Sequence, residues 1–196
     1  MEAKLFIQYL PWLREPKYAI KNRGLNADKY YEMELRDTTP IKRSVPLEIM
    51  DFPLELHDLF GEYDMSPIYM LWTSFWEKPR RLIEGWGFAD MSEVNIVLTP
   101  SGKIEAYNAY PIKEINGESQ FLDCLADNLE SYLGAMMYGQ LNKSHFISGF
   151  PDEDPILYKK TELVARHCAL IAGGDKYYEF WAGILGLPPD EEINED

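Results

Sequence analysis

Side chains that could bind a metal or attack a substrate are few in this sequence, and they stand at unhelpful spacings. His57, His145 and His167 lie far apart, and none has a partner at metal-ligand spacing. His167 precedes Cys168, but neighbouring residues on a helix point about 100° apart and do not face each other. We therefore expect Cys168 to pack as a small core residue beside a partly exposed histidine.

Phosphate-binding and nucleophile motifs are equally hard to find. The run Gly85-Trp86-Gly87 lacks the third glycine and the following lysine of a phosphate loop, so it predicts a turn. No Gly-x-Ser-x-Gly elbow occurs, and the 33 acidic residues offer too many carboxylate pairs to single one out. The sequence thus predicts no catalytic residue, no metal and no cofactor, and a protein that is not an enzyme.

Charge favours a basic protein partner over a nucleic acid. The net charge is −14; residues 1–50 carry nine basic and seven acidic side chains, whereas the other 146 residues carry ten basic and 26 acidic ones. Nucleic-acid binders neutralise phosphates with Lys and Arg, and the small cluster of Lys78, Arg80 and Arg81 beside two tryptophans cannot reverse this field. An acidic surface attracts a basic protein, although the same charge would also serve solubility alone.

The middle of the chain is rich in aromatic side chains. Five of them fall within 17 residues, namely Trp72, Phe75, Trp76, Trp86 and Phe88. Aromatic anchors with a charged rim are typical of protein interfaces, but the same rings could form the core between a sheet and its helices. The residues of this region that we predict to bind a partner are Glu62, Asp64, Trp72, Trp76, Glu77, Asp90 and Glu93.

The elements that must position these residues begin with a β-hairpin over residues 94–107. Apolar residues alternate with other residues on both sides of Thr99-Pro100-Ser101-Gly102, in which Pro100 suits a type I turn and Gly102 a positive φ. The 3.6-residue spacing of apolar side chains then predicts a long helix over residues 119–137 packed against this hairpin.

Less regular signals predict the remaining elements. Pro53 introduces a short helix with apolar residues between 54 and 60, and residues 68–76 favour a buried strand. The other predicted helices cover residues 1–14, with a break at Pro11, and residues 18–35, 161–171 and 175–185. Residues 139–158 are predicted to be a loop, and Thr161 an N-cap. The C-terminal helices are predicted to be structural, with a core stripe of Leu163, Val164, Leu170 and Ile171 and a buried Phe180–Trp181 pair.

These elements together predict an α+β fold, with a mixed, mainly antiparallel sheet, helices packed on one face, and extra N- and C-terminal helices. The predicted divisions are a helical extension (1–45), an α+β core (46–137), a C-terminal helical region packed on the core (138–187) and an acidic tail (188–196). No export signal is recognisable, no window reaches the roughly 20 apolar residues of a membrane span, and two cysteines are too few for a disulfide framework. We therefore expect a cytoplasmic protein that does not bind membranes.

The order of three sequence blocks resembles the SUKH superfamily, which includes Smi1/Knr4 proteins, the SecY-interacting protein Syd and many immunity proteins of bacterial toxin systems. The blocks are Pro53-Leu54-Glu55-Leu56-His57-Asp58-Leu59-Phe60, Asn95-Ile96-Val97-Leu98-Thr99-Pro100-Ser101-Gly102-Lys103-Ile104 and Ser119-Gln120-Phe121-Leu122-Asp123-Cys124-Leu125, the last expected to be a helix. The resemblance covers about residues 46–136. The run from Cys168 to Trp181 also resembles the C-terminal part of some immunity proteins.

This resemblance implies a function in protein binding. Proteins of this kind bind and neutralise a cognate toxin or secreted effector, such as those of type VI secretion, and they share no catalytic residue that could be carried over. Without an export signal, the toxin is expected to act in the cytoplasm and to be basic. Two alternatives remain: a Smi1/Knr4-like regulatory adaptor of cell-envelope synthesis, and an enzyme with an unrecognised site in the region 72–90.

Overall fold

The computed structural model describes residues 1–14, 39–48, 52–109, 120–142 and 155–188. The helix predicted over residues 18–35 and the acidic tail beyond Pro188 lie outside these ranges. The helices are α1 (Ala3–Tyr9), α2 (Leu54–Phe60), α3 (Leu129–Asn142), α4 (Pro155–Ala172) and α5 (Tyr178–Ile184), with 3-10 helices at Leu10–Arg14 and Asp175–Tyr177. The strands are β1 (Ile41–Lys42), β2 (Tyr63–Asp64), β3 (Tyr69–Met70), β4 (Thr73–Arg81), β5 (Trp86–Met91), β6 (Val94–Leu98), β7 (Ile104–Asn108) and β8 (Phe121–Ala126).

The fold is α+β, as predicted. Strands β3 to β8 form one six-stranded sheet whose spatial order is their order in the chain, and β1 pairs with β2 in a separate two-stranded sheet. Every pair of neighbours among the described strands is antiparallel. Short turns suffice to join antiparallel neighbours, which is why the sheet needs no crossover helix between β3 and β7.

The predicted hairpin is confirmed as β6 and β7, which pair from Val94↔Asn108 to Leu98↔Ile104. Its turn is closed by two backbone hydrogen bonds, from Thr99 N–H to the Lys103 carbonyl at 2.9 Å and from Gly102 N–H to the Thr99 carbonyl at 2.9 Å. Gly102 has φ 83°, a conformation that glycine adopts without strain.

The helix predicted over residues 119–137 is wrong in its first part, and with it the helical third block of the SUKH resemblance. Residues Phe121–Ala126 form strand β8, which pairs with β7 through two register shifts, and the helix begins only at Leu129. The local reason is Asn128, whose side-chain Oδ1 accepts from Ser131 N–H at 2.8 Å and thereby caps α3. Upstream of this cap, the backbone groups bond across to β7.

The strand predicted over residues 68–76 is interrupted by a tight turn. Met70 pairs with Thr73, so that Leu71 and Trp72 form a two-residue hairpin loop with φ 47° and 63°. Positive φ at both positions matches the twist of a hairpin, although bulky side chains adopt it at a cost in energy. Leu71 is buried, and its N–H donates to Oε1 of the buried Gln140 of α3 at 3.1 Å, which holds the turn in place.

One face of the sheet carries the core. Alternate residues such as Phe75, Ile96 and Ala106 point towards the helices and are buried. Tyr132 of α3 contacts Phe88 of β5 with ring centroids 6.0 Å apart, and on its other side it contacts Trp181 of α5, also at 6.0 Å. Helices α1, α3 and α5 therefore pack on the same face, as the sequence predicted.

Helix α4 is longer than predicted and buries a different face. It starts at Pro155, and Thr161 is not its N-cap but lies buried within it, donating from Oγ1 to the Leu157 carbonyl at 2.9 Å. The buried positions are Leu157, Thr161, Ala165, Cys168, Ala169 and Ala172. The predicted core stripe is wrong for Leu163 and Leu170, which are 58% and 59% exposed, whereas Val164 is partly buried against the core. Small residues allow α4 to approach α3 closely, and the larger aliphatic residues face outwards.

The predicted stop at Gly173-Gly174 is confirmed. Both glycines have positive φ, and Gly174 N–H donates to the Ala169 carbonyl at 2.9 Å, as in helix C-terminal caps. A Cβ on Gly173 would collide with the carboxylate of Asp127, which follows β8. That carboxylate accepts from Lys176 Nζ at 2.7 Å and from the Tyr177 hydroxyl at 2.5 Å. Asp127 thus attaches the C-terminal region to the edge strand of the sheet.

Replacing Trp181 tests the structural role predicted for the C-terminal helices. The ring is fully buried, and its Nε1–H donates to the Leu125 carbonyl at 3.2 Å. Trp181→Ala should lower the free energy of unfolding by about 3–5 kcal/mol, measured by urea denaturation. The exposed Glu179→Ala on the same helix should change it by less than about 0.5 kcal/mol. A Trp181→Ala protein that unfolds like the wild type would contradict the core assignment.

The Asp127 contacts predict a stability that depends on pH. Hydrogen bonds from Lys176 and Tyr177 lower the folded-state pKa of Asp127. The ionised carboxylate therefore contributes stability that is fully present above its unfolded pKa of about 3.9, and that is lost as the pH falls through the lower folded value. Asp127→Asn should be less stable than the wild type at about pH 7, and the difference should shrink towards about pH 2.5 in urea titrations. Lys176→Met should show the same trend, and a difference independent of pH would refute it.

Candidate functional site

The sheet has a second face, which we call the outer face, on the side opposite the core. Strand alternation places Trp76, Asp90, Val97, Glu105 and Tyr107 there, because Phe75, Ala89, Ile96, Ile104 and Ala106 are all buried in the core. The helices that the structure describes all contribute to the core on the other side. Within the described ranges, therefore, no helix separates the side chains of the outer face from a partner.

Trp76 is the largest side chain on the outer face and is held on three sides. Its Nε1–H donates to Oδ2 of Asp90 on the neighbouring strand at 2.6 Å. The guanidinium carbon of Arg80 lies 5.2 Å from the centroid of the ring. Beneath the ring is Gly87, where a Cβ would approach Cζ3 of Trp76 to 2.7 Å. The glycine therefore allows the indole to lie flat against the sheet, and the carboxylate fixes its orientation.

A second polar cluster lies two strands away around the carboxylate of Glu105. The Tyr107 hydroxyl donates to Oε2 at 2.6 Å, and the thiol of Cys124 on β8 lies 3.6 Å from Oε1. Phe121, which is 51% exposed, packs edge-on against the Tyr107 ring with the centroids 5.8 Å apart. Between the two clusters lies Val97, paired on one side with Gly87 and on the other with Glu105.

The electrostatics of the Glu105 cluster favour neutral donors around one carboxylate. Burial is the largest cause that raises the pKa of the Tyr107 phenol, and the hydrogen bond and charge of Glu105 and the charge of Glu84 add to it. Burial, followed by the charge of Glu105, also raises the pKa of the Cys124 thiol. Since the thiolate is the reactive form of cysteine, Cys124 is a poor nucleophile at neutral pH.

The chemistry that this face can perform is recognition through aromatic contact and negative charge. Trp76, Tyr107 and Phe121 supply aromatic area, while Asp90 and Glu105 supply carboxylates. Within the described ranges, no three His, Cys, Asp or Glu side chains are grouped so that they could hold a metal ion. The buried Cys168, whose pKa burial raises to about 12, lies in the core and takes no part in this face.

The predicted partner-binding residues do not all come together. Trp76 and Asp90 are hydrogen-bonded on the outer face, and Glu93 lies at the exposed turn between β5 and β6, where its carbonyl accepts from Ala109 N–H at 2.7 Å. Trp72 is 50% exposed in the turn between β3 and β4.

The other three predicted residues, Glu62, Asp64 and Glu77, lie near Arg43. The guanidinium of Arg43 is 3.7 Å from the Glu77 carboxylate, and Arg43 N–H donates to the Glu62 carbonyl at 2.8 Å. Asp64 pairs with Ile41 in the two-stranded sheet. The prediction therefore combined residues from three separate places: the outer face with the adjoining β5–β6 turn, the β3–β4 turn, and the surroundings of Arg43.

The sequence left open whether the aromatic residues between 72 and 88 form the core or an exposed surface, and the structure places some of them in each. Phe75 and Phe88 are core residues, whereas Trp76 and Trp86 are half-buried and Trp72 is exposed. Arg81 lies 5.6 Å above the ring of Trp86, as Arg80 does above Trp76. The arginines of the basic cluster thus cover tryptophan faces.

Sequence reasoning missed Glu105, Tyr107 and Phe121. The alternation around Ile104 and Ala106 already placed Glu105 and Tyr107 on the face opposite to the core, but nothing in the pattern linked them to Trp76. Phe121 could not be placed there because its segment was predicted to be helical. Pairing β8 with β7 is the step that completes the site.

An acidic groove of about 380 Å³ lies away from the sheet, between α1, α2 and the start of α3. Its carboxylates are Glu2, Glu55, Asp58 and Glu130. Lys4 lies within it and pairs with Asp58 at 3.3 Å. Because the groove offers charge without aromatic anchors, the outer face is the better candidate site.

Thiol reactivity tests the Glu105 cluster. Glu105→Gln removes the negative charge beside Cys124, so the thiol pKa should fall and a larger fraction should be thiolate at about pH 8. Alkylation by iodoacetamide, followed by intact-mass spectrometry, should then be faster than in the wild type. Cys124→Ser should leave only the slow reaction of the buried Cys168. Equal alkylation rates in the Glu105→Gln protein and the wild type would show that the carboxylate does not act on this thiol.

Comparisons with known proteins add no family assignment. No protein-family model, curated protein or solved structure matches this chain. No helix in the described ranges is both long and apolar enough to span a membrane. The resemblance to the SUKH superfamily stays a prediction from the sequence blocks, and the functional argument starts from the geometry of the outer face.

Proposed function

We propose that this protein binds a basic protein partner through the outer face of its sheet and thereby neutralises it, as an immunity protein neutralises a cognate toxin. The observation that carries this proposal is the arrangement of Trp76, Tyr107 and Phe121 around the carboxylates of Asp90 and Glu105, on a sheet face against which none of the described helices packs. The function in immunity itself comes from the resemblance to the SUKH superfamily. The geometry supports the part of it that concerns protein binding.

Aromatic side chains supply most of the binding energy in many protein interfaces because they bury a large area at a small cost in conformational entropy. Trp76 is already fixed by Asp90 and Gly87, so it loses little freedom when a partner covers it. The outer face is therefore preorganised for contact.

Negative charge is the second feature of the outer face that favours binding of a basic partner. The chain carries −14 in total. The outer face holds the carboxylates of Asp90 and Glu105 and the cation of Arg80, and Glu84 and Glu93 border it. A field of this sign accelerates encounter with a basic protein and opposes encounter with acidic ones. A toxin that acts on nucleic acid or nucleotides presents a basic groove, which an acidic surface would cover.

The first experiment is co-expression with the product of the neighbouring gene in a sensitive host, followed by affinity capture. The wild type should protect the host and form a complex. Glu84→Lys/Glu93→Lys should slow association by about tenfold, and Phe121→Ala should mainly accelerate dissociation, both followed by surface plasmon resonance. Association with the wild type should slow as salt rises from about 50 to about 500 mM, because the Debye length falls from roughly 14 to 4 Å.

A matched control is Glu130→Lys/Glu179→Lys, which makes the same change in net charge at exposed positions on α3 and α5. It should reduce the association rate far less than the pair beside the outer face. Equal loss in both double variants would mean that only the net charge matters, and that the outer face is not the binding site. Cells that die equally with and without this protein, together with no captured complex, would refute the immunity function.

A further inference from the structure

Helix α4 exposes a regular row of large aliphatic side chains on the side away from the core. Ile156, Leu163 and Leu170 are seven residues apart and are 67%, 58% and 59% exposed. At 100° per residue they point between about 140° and 180° away from Ala165, which is buried at the centre of the inward side. We call these three residues the α4 row. A seven-residue spacing keeps side chains on one side of a helix, where a second helix can contact them.

The core does not require this row. Helix α4 packs inwards through small residues, and the thiol of Cys168 lies 3.5 Å from the Ala135 carbonyl of α3. The row therefore stands on the outside of a helix that is already fully packed, over 14 residues or roughly 21 Å of helix. Single exposed aliphatic residues are common on proteins, but three aligned along one helix offer a partner helix a line of apolar contacts.

Cations border the α4 row on both sides. Lys160 lies four residues after Ile156 and Lys159 three residues after it, so the two lysines lie on opposite sides of the row. Arg166 follows Leu163 by three residues and pairs with Glu162 at 2.7 Å. Within the described ranges, neither lysine forms a salt bridge. This local positive border contrasts with the net charge of −14 of the whole chain.

The charges decide between occupants of the α4 row. If a second copy of the chain packed on it, Lys159, Lys160 and Arg166 would face the same cations of the other copy, whether the two helices ran parallel or antiparallel. Like charges at these flanking positions destabilise a helix pair. A partner helix with aliphatic residues at matching positions and carboxylates beside them would instead make apolar contacts with the row and ion pairs with the cations.

We propose that the α4 row is a docking site for an acidic amphipathic helix of a partner protein. The charge around the α4 row is positive, whereas the charge around the outer face is mainly negative. This proposal does not depend on the function proposed for the outer face. The two surfaces would allow one chain to hold two partners of opposite charge.

The test uses a fluorescently labelled designed peptide with Leu at the a and d positions of its heptads and Glu at e and g. A second peptide has Lys in place of each Glu. In anisotropy titrations at low salt, the full chain should bind the acidic peptide at least about tenfold more tightly than the basic one. Leu163→Asn/Leu170→Asn should weaken binding of the acidic peptide by about tenfold. The protein should stay folded, because both side chains are exposed and only the lower helix propensity of Asn reduces its stability.

Charge placement has its own control. Lys159→Glu/Lys160→Glu should abolish the preference for the acidic peptide, whereas Lys42→Glu/Lys103→Glu, with the same change in net charge at exposed positions elsewhere, should keep it. An equal loss in both double variants would overturn the proposal, as would wild-type binding no tighter than that of the Leu163→Asn/Leu170→Asn protein.

Two further results would assign the α4 row to another occupant and also overturn the proposal. One is a wild-type dimer in sedimentation equilibrium that Leu163→Asn/Leu170→Asn converts to a monomer, which would point to a second copy of the chain. The other is binding to vesicles of phosphatidylserine and phosphatidylcholine that the same variant loses while the acidic peptide does not bind, which would point to a lipid surface.

Discussion

A continuous series of aromatic contacts joins the two ends of the described chain through the sheet. Phe6 of α1 contacts Phe75 of β4 at 6.0 Å, Phe75 contacts Phe88 at 6.3 Å, and Tyr132 links Phe88 to Trp181 of α5. Large rings of this kind bury more apolar area per residue than any other side chains, and their edges and faces attract one another. Helices α1, α3 and α5 each contribute one ring to the series, which joins them to the sheet.

The same series explains why the two faces of the sheet differ. Successive side chains of a strand point to opposite faces of the sheet. The residues next to the core phenylalanines Phe75 and Phe88 therefore include those that form the outer face. On β4 the outer-face residue is Trp76, on β5 it is Asp90, and on β7 it is Glu105 with Tyr107. A ring with a polar edge suits a half-buried site, because its N–H or O–H can meet a carboxylate while its faces pack. The composition of the outer face thus follows from the packing of the inner one.

How far the sequence could predict this arrangement depended on local signals. The turn at Pro100 and Gly102 specifies its own geometry, so the β6–β7 hairpin was predicted together with the position of its turn. Trp181 was predicted to be buried because a large ring between apolar neighbours has few alternatives. Such signals involve residues close together in the chain.

Contacts between residues far apart in the chain determine the features that were predicted wrongly from the sequence. Phe121, Leu122 and Leu125 fit a helical spacing, but pairing with β7 determines their structure. Leu163 and Leu170 fit a core helix, yet close approach between α3 and α4 requires the small residues on the other side. The Leu71–Trp72 turn carries no glycine or asparagine, and its conformation is fixed by Gln140, 69 residues away. For the candidate site, this meant that Trp76 and Asp90 were identified while Glu105, Tyr107 and Phe121 were not.

The order of strands in the sheet has a consequence for synthesis on the ribosome. Strands β3 to β8 pair with their neighbours in the chain, so most of the sheet can form by successive local steps of low contact order. Helix α1 cannot complete its contacts in this way, since the Met1 amino group bonds the Glu130 carbonyl across 129 residues. Helix α1 is synthesised before α3 and docks only after α3 has emerged. Until then its apolar side is exposed to chaperones and to other nascent chains.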